Sequence, residues 1–377
     1  MAGDSCYTVP DSGIRVLPHM IWSGLLLALA IFLAGCAETS YYWQAMGGHL
    51  QVMKSARPVA DVLVDPLTPP ALGARLRLAQ SIRKFASAQL HLPDNAGYQA
   101  YADLQRPYVV WNVVAAPEFS LTLKTWCFPM AGCVGYRGYF DEGQARQMAA
   151  ELRAQGLEVN VYGVPAYSTL GWMNWAGGDP LLNTFVNYPD AELARLIFHE
   201  LAHQVVYVSD DTRFNESFAT AVERLGLRRW LELHANTSLR AQHLAQDQRR
   251  SQFRALTRAT RQRLAEVYAK NKPPAQSEKD IYAIKIKIMQ EFRADYARLK
   301  AQWGGYGGMD AWVALANNAS LGAQAAYDDL VPGFEALFEK HGRDWPRFYD
   351  AVRQLSKLAA PERSRQLQQW AQEQKLG

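Results

Sequence analysis

The chain has 377 residues, of which 49% are apolar and 20% are charged, and its net charge is +4. A chain of this size and apolar content can bury a large core and form roughly one to three domains, which excludes an intrinsically disordered protein. The small positive charge gives no support for a dedicated nucleic-acid binder. Aromatic residues make up 11% of the chain, enough for a large core and for the walls of a peptide-binding cleft.

The first 35 residues have the pattern of a secretory signal, with Arg15 and His19 before an apolar run from Ile21 to Leu33. This run is too short for a comfortable membrane span, which needs about twenty residues. Its ending, "LAGC", resembles the lipobox of bacterial lipoproteins, which implies that residues 1–35 are removed and that Cys36 carries lipid. The alternative is an ordinary cysteine in an uncleaved anchor. In such lipoproteins, an aspartate directly after the lipidated cysteine is associated with retention in the inner membrane. Because Ala37 follows Cys36 here, we expect an outer-membrane lipoprotein that faces the periplasm.

The remaining cysteines indicate a disulfide. Cys6 would be lost with the signal, which leaves Cys127 and Cys133 in "WCFPMAGC". An exported compartment is oxidising, and the five residues between the two cysteines include Pro and Gly, so they can form a tight loop. We therefore predict a bridge between them, with a two-cysteine metal site as the alternative.

The predicted elements change in character along the chain. Residues 36–70 form an anchor, with a short helix and a Pro-rich connector. Residues 71–189 combine helix and strands: helical spacing favours a helical hairpin over 71–106, and Val-rich and aromatic-rich segments follow as strands. Residues 190–233 are predicted as two helices, the first capped by Asp190, and residues 234–377 as a helical C-terminal region.

The first of these two helices contains "LIFHELAHQVVY", with His199 and His203 four residues apart. Residues at this spacing lie on one side of a helix, so both imidazoles can bind one ion. Glu200 points away from coordination but can reach a metal-bound water, as the general base of a metalloprotease does. A catalytic zinc site usually has three protein ligands and one open position, and we predict one Zn²⁺ with Glu216 as its third ligand.

The second helix has to fold back to bring Glu216 to the histidines. Asp210 and Asp211 mark the turn, and Thr212 is the predicted cap of the helix. A ligating histidine usually donates its other N–H to an oxygen. Three residues are candidates for that acceptor, and the sequence does not choose among them: Asn215, Thr220 and Glu223.

A coincidental motif is the alternative. The bare His-Glu-x-x-His pattern arises by chance in about one chain in a hundred of this length, most often as histidines of a helical core. The helical flanks and the well-placed glutamate lower that chance to a few per cent by our estimate. His234 could be a substitute ligand, although a lone histidine is more often solvated or part of a cap.

The segment "FHELAHQVVYVSDDTRFNESFATAVE" resembles the zincin peptidases, and among them the gluzincins, in which a glutamate after asparagine on a later helix completes the ligand set. Together with "GYRGYF", "VPAYSTLGW" and "NNASLGAQAAYDDLVPGFEAL", nearly the whole mature chain resembles a family of bacterial lipoproteins classed as aminopeptidases. This resemblance implies a zincin-like α+β fold with a small mixed sheet and mainly helical catalytic and C-terminal parts. Two features depart from the pattern: only twelve residues separate His203 from Glu216, and the Gly-x-Met-Glu-Asn motif that binds a substrate's free amine is missing.

Further site residues follow from the resemblance. Gluzincins often stabilise the oxyanion with a tyrosine or histidine from a distant helix, and Tyr327 is the first candidate; a structural tyrosine is the alternative reading. In zincins an edge strand before the metal helix pairs with the peptide substrate. Four residues are placed there, with a plain buried strand as the alternative: Tyr167, Ser168, Thr169 and Leu170.

The sequence thus predicts a zinc-dependent metallopeptidase that binds a peptide substrate, contacts the membrane through its lipid and does not bind nucleic acid. Aminopeptidase activity is the subclass that the resemblance implies. Two other functions remain open. One is a lipid-anchored structural or chaperone-like protein with a stabilising zinc, and the other is a hydrolase of cell-wall peptides.

Overall fold

The computed structural model describes residues 41–128, 132–166, 169, 177–234, 236–270 and 278–376, without the side chains of 326–328, 375 and 376. The predicted signal and Cys36 therefore lie outside the described residues. By its contacts the chain divides into Met1–Gly48 and His49–Gly377. Residues 41–48 of the first unit are helical, and the helix, α1, continues to residue 55.

The N-terminal part of the second unit contains one long helix and no helical hairpin, so the prediction for residues 71–106 is wrong. The elements are β1 (Arg57–Pro58), α2 (Val59–Val64), α3 (Pro70–Leu90) and β2 (Ala100–Ala102). Helix α3 ends because His91 adopts a left-handed conformation and donates its N–H to Ala86 O. Pro93 follows two residues later, and a proline disfavours helix at the preceding residue.

Three antiparallel strands form the sheet that lies beside the predicted site. They are β3 (Val110–Pro117), β6 (Arg137–Tyr139) and β7 (Leu157–Val164), in the order β6-β3-β7. Seven of the eight residues of β3 are buried, which explains its nearly continuous apolar sequence. Helix α4 (Glu142–Ala154) connects β6 to β7, and Asp141 caps it by accepting a hydrogen bond from Gln144 N. A second sheet joins β1, β2 and β8 (Leu181–Leu182).

A separate hairpin precedes β6. It consists of β4 (Trp126–Phe128) and β5 (Gly132–Val134), which pair antiparallel with Cys127 opposite Cys133. A disulfide joins these two cysteines.

The rest of the described chain is mainly helical, and 65% of the described residues are in helices with small sheets beside them, which agrees with the predicted α+β class. Among the described residues, no helix is both long enough and apolar enough to cross a membrane. The remaining helices are α5 (Asp190–Ala202), α6 (Thr212–His234), α7 (Thr237–Lys270), α8 (Glu278–Gln302), α9 (Asp310–Leu315), α10 (Asn318–Asp328), α11 (Val331–Lys340), α12 (Trp345–Ser356) and α13 (Ala360–Leu376).

Helices α5 and α6 pack closely. At Gly226 of α6, a Cβ atom would lie 2.6 Å from Leu90 Cδ1 and 3.1 Å from Phe198 Cδ2, so a larger residue would force these side chains to shift. On another side of α6, Phe214 and Phe218 contact the ring of Phe334 in α11 at centroid distances of 5.2 and 5.7 Å. Helix α6 is therefore held between α5 and the C-terminal helices by a large apolar core.

Candidate metal centre

Helix α5 brings the two motif histidines together at its C-terminal end. His199 Nε2 and His203 Nε2 are 3.2 Å apart, and the imidazole rings are nearly perpendicular. The prediction that Asp190 caps this helix is wrong: Asp190 is its first residue, Pro189 occupies the cap position and no side chain caps it. The carboxylate of Asp190 instead accepts a hydrogen bond from Arg75 at 2.6 Å.

Helix α6 folds back and places Glu216 beside both histidines. Its Oε2 lies 3.3 Å from His199 Nε2 and 3.8 Å from His203 Nε2. The cap of α6 is Asp211 and not the predicted Thr212, since the Asp211 carboxylate accepts a hydrogen bond from Phe214 N at 3.0 Å. Asn215 fixes the loop in addition: it donates to Val208 O at 2.7 Å and accepts from Val208 N at 2.8 Å.

The spacing of these three donor atoms fits a zinc ion. Zinc–nitrogen and zinc–oxygen bonds of about 2.0–2.1 Å in a tetrahedron separate the ligand atoms by about 3.3 Å. Two of the observed separations, 3.2 and 3.3 Å, match this value, and the third, between His203 Nε2 and Glu216 Oε2, is longer at 3.8 Å. Among the described residues, His199, His203 and Glu216 form the one cluster of three or more such side chains that could hold a metal ion.

Glu223, two turns further along α6, orients the first histidine. Its Oε2 lies 3.1 Å from His199 Nδ1, and its other oxygen accepts a hydrogen bond from Arg195. A carboxylate at this position holds the proton on Nδ1, so the lone pair of Nε2 faces Glu216 and His203. Of the three acceptors considered from the sequence, the structure thus selects Glu223; Asn215 is engaged by the loop.

A series of ion pairs extends from Glu223 and Arg195 to helix α7. Glu192, one turn before Arg195 on α5, accepts a hydrogen bond from Arg250 of α7 at 2.6 Å. Its charge and that of Glu223 both favour the charged form of Arg195. The guanidinium that holds Glu223 is therefore itself held between two carboxylates.

The electrostatics of the centre favour a cation among these residues. Burial lowers the pKa of His199, but hydrogen bonds to Glu216 and Glu223 outweigh it and hold the pKa well above its ordinary value. Burial lowers the pKa of His203 to about 4. Burial alone would raise the pKa of Glu216, yet the two histidines keep it below its ordinary value. The surrounding carboxylates therefore favour the protonated form of His199, whereas burial favours the neutral form of His203.

The carboxyl group of Glu200 differs in its ionisation from those of Glu216 and Glu223, whose pKa values are lowered. Burial raises its pKa to about 7; the charge of His199 opposes this, while those of Glu216 and Asp179 add to it. Asp179 is 3% exposed and accepts a hydrogen bond from Thr169 N at 2.9 Å. A pKa near the working pH suits a residue that accepts and returns a proton.

Three tyrosines lie within electrostatic range of Glu216. Burial and the negative charge of Glu216 raise the pKa values of Tyr136, Tyr162 and Tyr207. Tyr136 also interacts with the charge of Glu200, so it lies in the field of both carboxyl groups. It packs with Tyr162 against Val114 and Ala319, on the sheet face that α10 covers. Tyr136 was not among the site residues predicted from the sequence, although it lies in "GYRGYF", one of the segments that carried the resemblance.

The other predicted site residues lie elsewhere or outside the described residues. Tyr167, Ser168 and Leu170 fall outside them, and so does the side chain of Tyr327, whose backbone belongs to α10. Thr169 lies in irregular backbone and not in a strand. His234 ends α6, where its Nδ1 is 3.2 Å from Trp230 O and its ring stacks on Trp230, so it is not part of the ligand cluster.

Comparison with known proteins agrees with the peptidase character of the site. The family model described as "Putative aminopeptidase" matches residues 40–367. No curated protein and no solved structure matches the chain. Since the match spans most of the chain, including α5, α6 and the sheet, the protein belongs to this aminopeptidase family.

Proposed function

We propose that the protein is a zinc-dependent, zincin-like peptidase whose metal ligands are His199, His203 and Glu216. The observation that carries this proposal is the separation of the three donor atoms by 3.2–3.8 Å. When bound, zinc would supply a Lewis acid and lower the pKa of a coordinated water. The family match supports peptide hydrolysis as the reaction.

The residues of the chain divide the remaining work. Glu200 accepts a proton from the attacking water and returns it to the leaving amine, for which a carboxyl pKa of about 7 is suited. A cation bound at the ligand cluster would favour the charged form of this carboxyl group. Glu223 keeps the proton of His199 on Nδ1 and so leaves Nε2 free to ligate.

A hydroxyl donor for the developing oxyanion completes the proposed site. Tyr136 is our first candidate, because its hydroxyl lies in the field of both Glu200 and Glu216. Tyr327, which the resemblance implies for the same role, remains the second candidate. A preorganised donor of this kind contributes about 10²–10³-fold to the rate in other enzymes.

Two finer points belong to the proposal. We propose aminopeptidase action, since the family description supports it, although the substrate's free amine must be bound by groups other than the missing Gly-x-Met-Glu-Asn motif.

We also propose that the mature chain is anchored by lipid on Cys36 in the outer membrane and faces the periplasm. Mass spectrometry of the N-terminal fragment would detect the lipid, and a Cys36→Ala variant should remain unacylated.

The central experiment measures zinc content and cleavage of a peptide library by residues 37–377. Wild-type protein should bind about one zinc per chain and lose cleavage on chelation. Glu200→Gln should retain the zinc and lose cleavage, because Glu200 is a base and not a ligand. Glu232→Gln, at an exposed position near the end of α6, is the matched control and should change neither.

Other results would contradict the proposal. Cleavage that persists in chelated protein, or in Glu200→Gln, would exclude the proposed mechanism. Stoichiometric zinc without turnover of any peptide would favour the structural alternative. Turnover of muropeptides alone would favour the cell-wall hydrolase.

A further inference from the structure

The disulfide-closed hairpin of β4 and β5 lies against the loop that joins the two metal-binding helices. Cys133 N donates a hydrogen bond to Asp210 Oδ1 at 2.6 Å. At Gly132, which has φ of 72°, a Cβ atom would lie 2.6 Å from both Asp210 N and Asp210 Oδ1. The two backbones therefore meet without an intervening side chain.

The hairpin depends on its covalent bond for rigidity. In the described part of the chain, β4 pairs with β5 alone, and the two strands have three residues each. An isolated two-stranded hairpin is at best marginally stable in water. The bond between Cys127 and Cys133 removes much of the conformational freedom that the hairpin would have if both cysteines were reduced.

The contacted loop leads directly into the helix of the third ligand. Asp210 has φ of 65°, a left-handed conformation that most residues disfavour. The next residue, Asp211, caps α6, and Glu216 follows within the first two turns of that helix. Arg363 of α13 donates to the Asp211 carboxylate at 2.6 and 3.2 Å. Together with the hydrogen bonds between Asn215 and Val208, these contacts hold the start of α6, and the hairpin adds a further contact through Asp210.

We propose that the disulfide hairpin, acting through Asp210, positions Glu216, so that the ligand cluster reaches its full affinity for a divalent cation only when Cys127 and Cys133 are joined. This inference rests on the proposed metal site and adds redox regulation of its affinity for the cation. Asp210 is a positioning residue, since it acts on Glu216 through the start of α6.

The redox step has a simple balance. The two thiols lose two protons and two electrons as the S–S bond forms, and a disulfide of a protein thiol oxidant is reduced to two thiols. Such oxidants act in exported compartments, whereas the cytosol keeps thiols reduced. A peptidase of this design would bind its metal weakly during synthesis and tightly after export.

The test is a zinc titration of the full-length protein in detergent against a competing chromophoric chelator, with the Co²⁺ absorption spectrum as a second readout. Three variants are compared with the wild type: Cys127→Ser/Cys133→Ser, Asp210→Gly and Asp210→Asn. Glycine removes the acceptor but suits the positive φ, whereas asparagine keeps the Oδ1 acceptor and tolerates that conformation.

We expect the cysteine double variant and Asp210→Gly each to weaken zinc binding by about tenfold, the low end of the range for residues that orient metal ligands. Asp210→Asn should restore affinity to within about twofold of the wild type. Combining Asp210→Gly with the cysteine changes should weaken binding no further, because both act on one path. Asp141→Ala, which removes the carboxylate that accepts a hydrogen bond from Gln144 N at the start of α4, should leave zinc affinity unchanged.

Wild-type zinc affinity in the disulfide-free protein or in Asp210→Gly would overturn the proposal, and so would additive losses in the combined variant. Absence of zinc binding by the wild type would instead refute the proposed metal site itself. If the cysteine double variant fails to fold, as judged by circular dichroism, the comparison of Asp210→Gly with Asp210→Asn decides the matter with the disulfide intact.

Discussion

Replacement of Glu223 by glutamine tests the claim that this carboxylate orients His199. Burial raises the pKa of Glu223, but the charge of Arg195 and hydrogen bonds from His199 and Arg195 outweigh it and lower the pKa from 4.5 to about 2. At about 1.36 kcal/mol per pH unit, this difference corresponds to about 3 kcal/mol of stability. Removal of one partner from a buried ion pair costs a similar amount, about 3–5 kcal/mol.

The pH dependence of this contribution has a definite sign. Because the folded protein holds the pKa of Glu223 below its unfolded value, the stabilisation is fully present above pH 4.5 and is lost as the pH falls towards 2. For metal-free protein, Glu223→Gln should therefore lower the free energy of unfolding by about 3 kcal/mol at pH 7. The difference from the wild type should shrink to about 1 kcal/mol at pH 3.

Urea unfolding of chelator-treated protein at the two pH values measures this difference, and a zinc titration at pH 7 should show affinity reduced by about 10–100-fold. The control is Glu192→Gln, which breaks a neighbouring pair with Arg250 but leaves the contact to His199 intact. It should not weaken zinc binding by more than about twofold. Unchanged zinc affinity in Glu223→Gln would refute the orienting role of Glu223. Equal losses of zinc affinity in Glu223→Gln and Glu192→Gln would refute it as well.

Two further predictions concern packing and catalysis. Gly226→Ala should lower the free energy of unfolding by about 1–2 kcal/mol in chemical denaturation, because the added methyl group meets buried Leu90 and Phe198. Gly47→Ala in α1, where a Cβ meets nothing within 4 Å, should leave the free energy of unfolding unchanged or raise it by up to about 1 kcal/mol. A change of the same sign in the free energy of unfolding at both sites would contradict this account. Tyr136→Phe should lower kcat by about 10²–10³-fold with zinc content unchanged, whereas Tyr282→Phe at an exposed site should not. A loss confined to Tyr327→Phe would assign the donor to that residue instead.

Local patterns were sufficient where neighbours in sequence are neighbours in space. The spacing of His199 and His203 predicts their common face because four residues make about one turn of helix. The loop between Cys127 and Cys133 is short enough that residue types alone indicate the bridge, and the structure contains it. Local patterns failed at helix ends. Asp211 caps α6 in place of Thr212, and α3 ends at a left-handed His91, because several polar residues near each end could serve equally well.

The amino-acid sequence by itself determined the residue types of the candidate ligands and their helical setting, since these follow from the motif and from helical periodicity. Only the tertiary structure decided which carboxylate orients His199, which tyrosines lie in the field of Glu216 and that the disulfide hairpin touches Asp210. The physical reason is that these contacts join segments dozens of residues apart, such as Cys133 and Asp210. Their geometry is set by the packing of α6 against α5 and against the C-terminal helices, which no local pattern specifies.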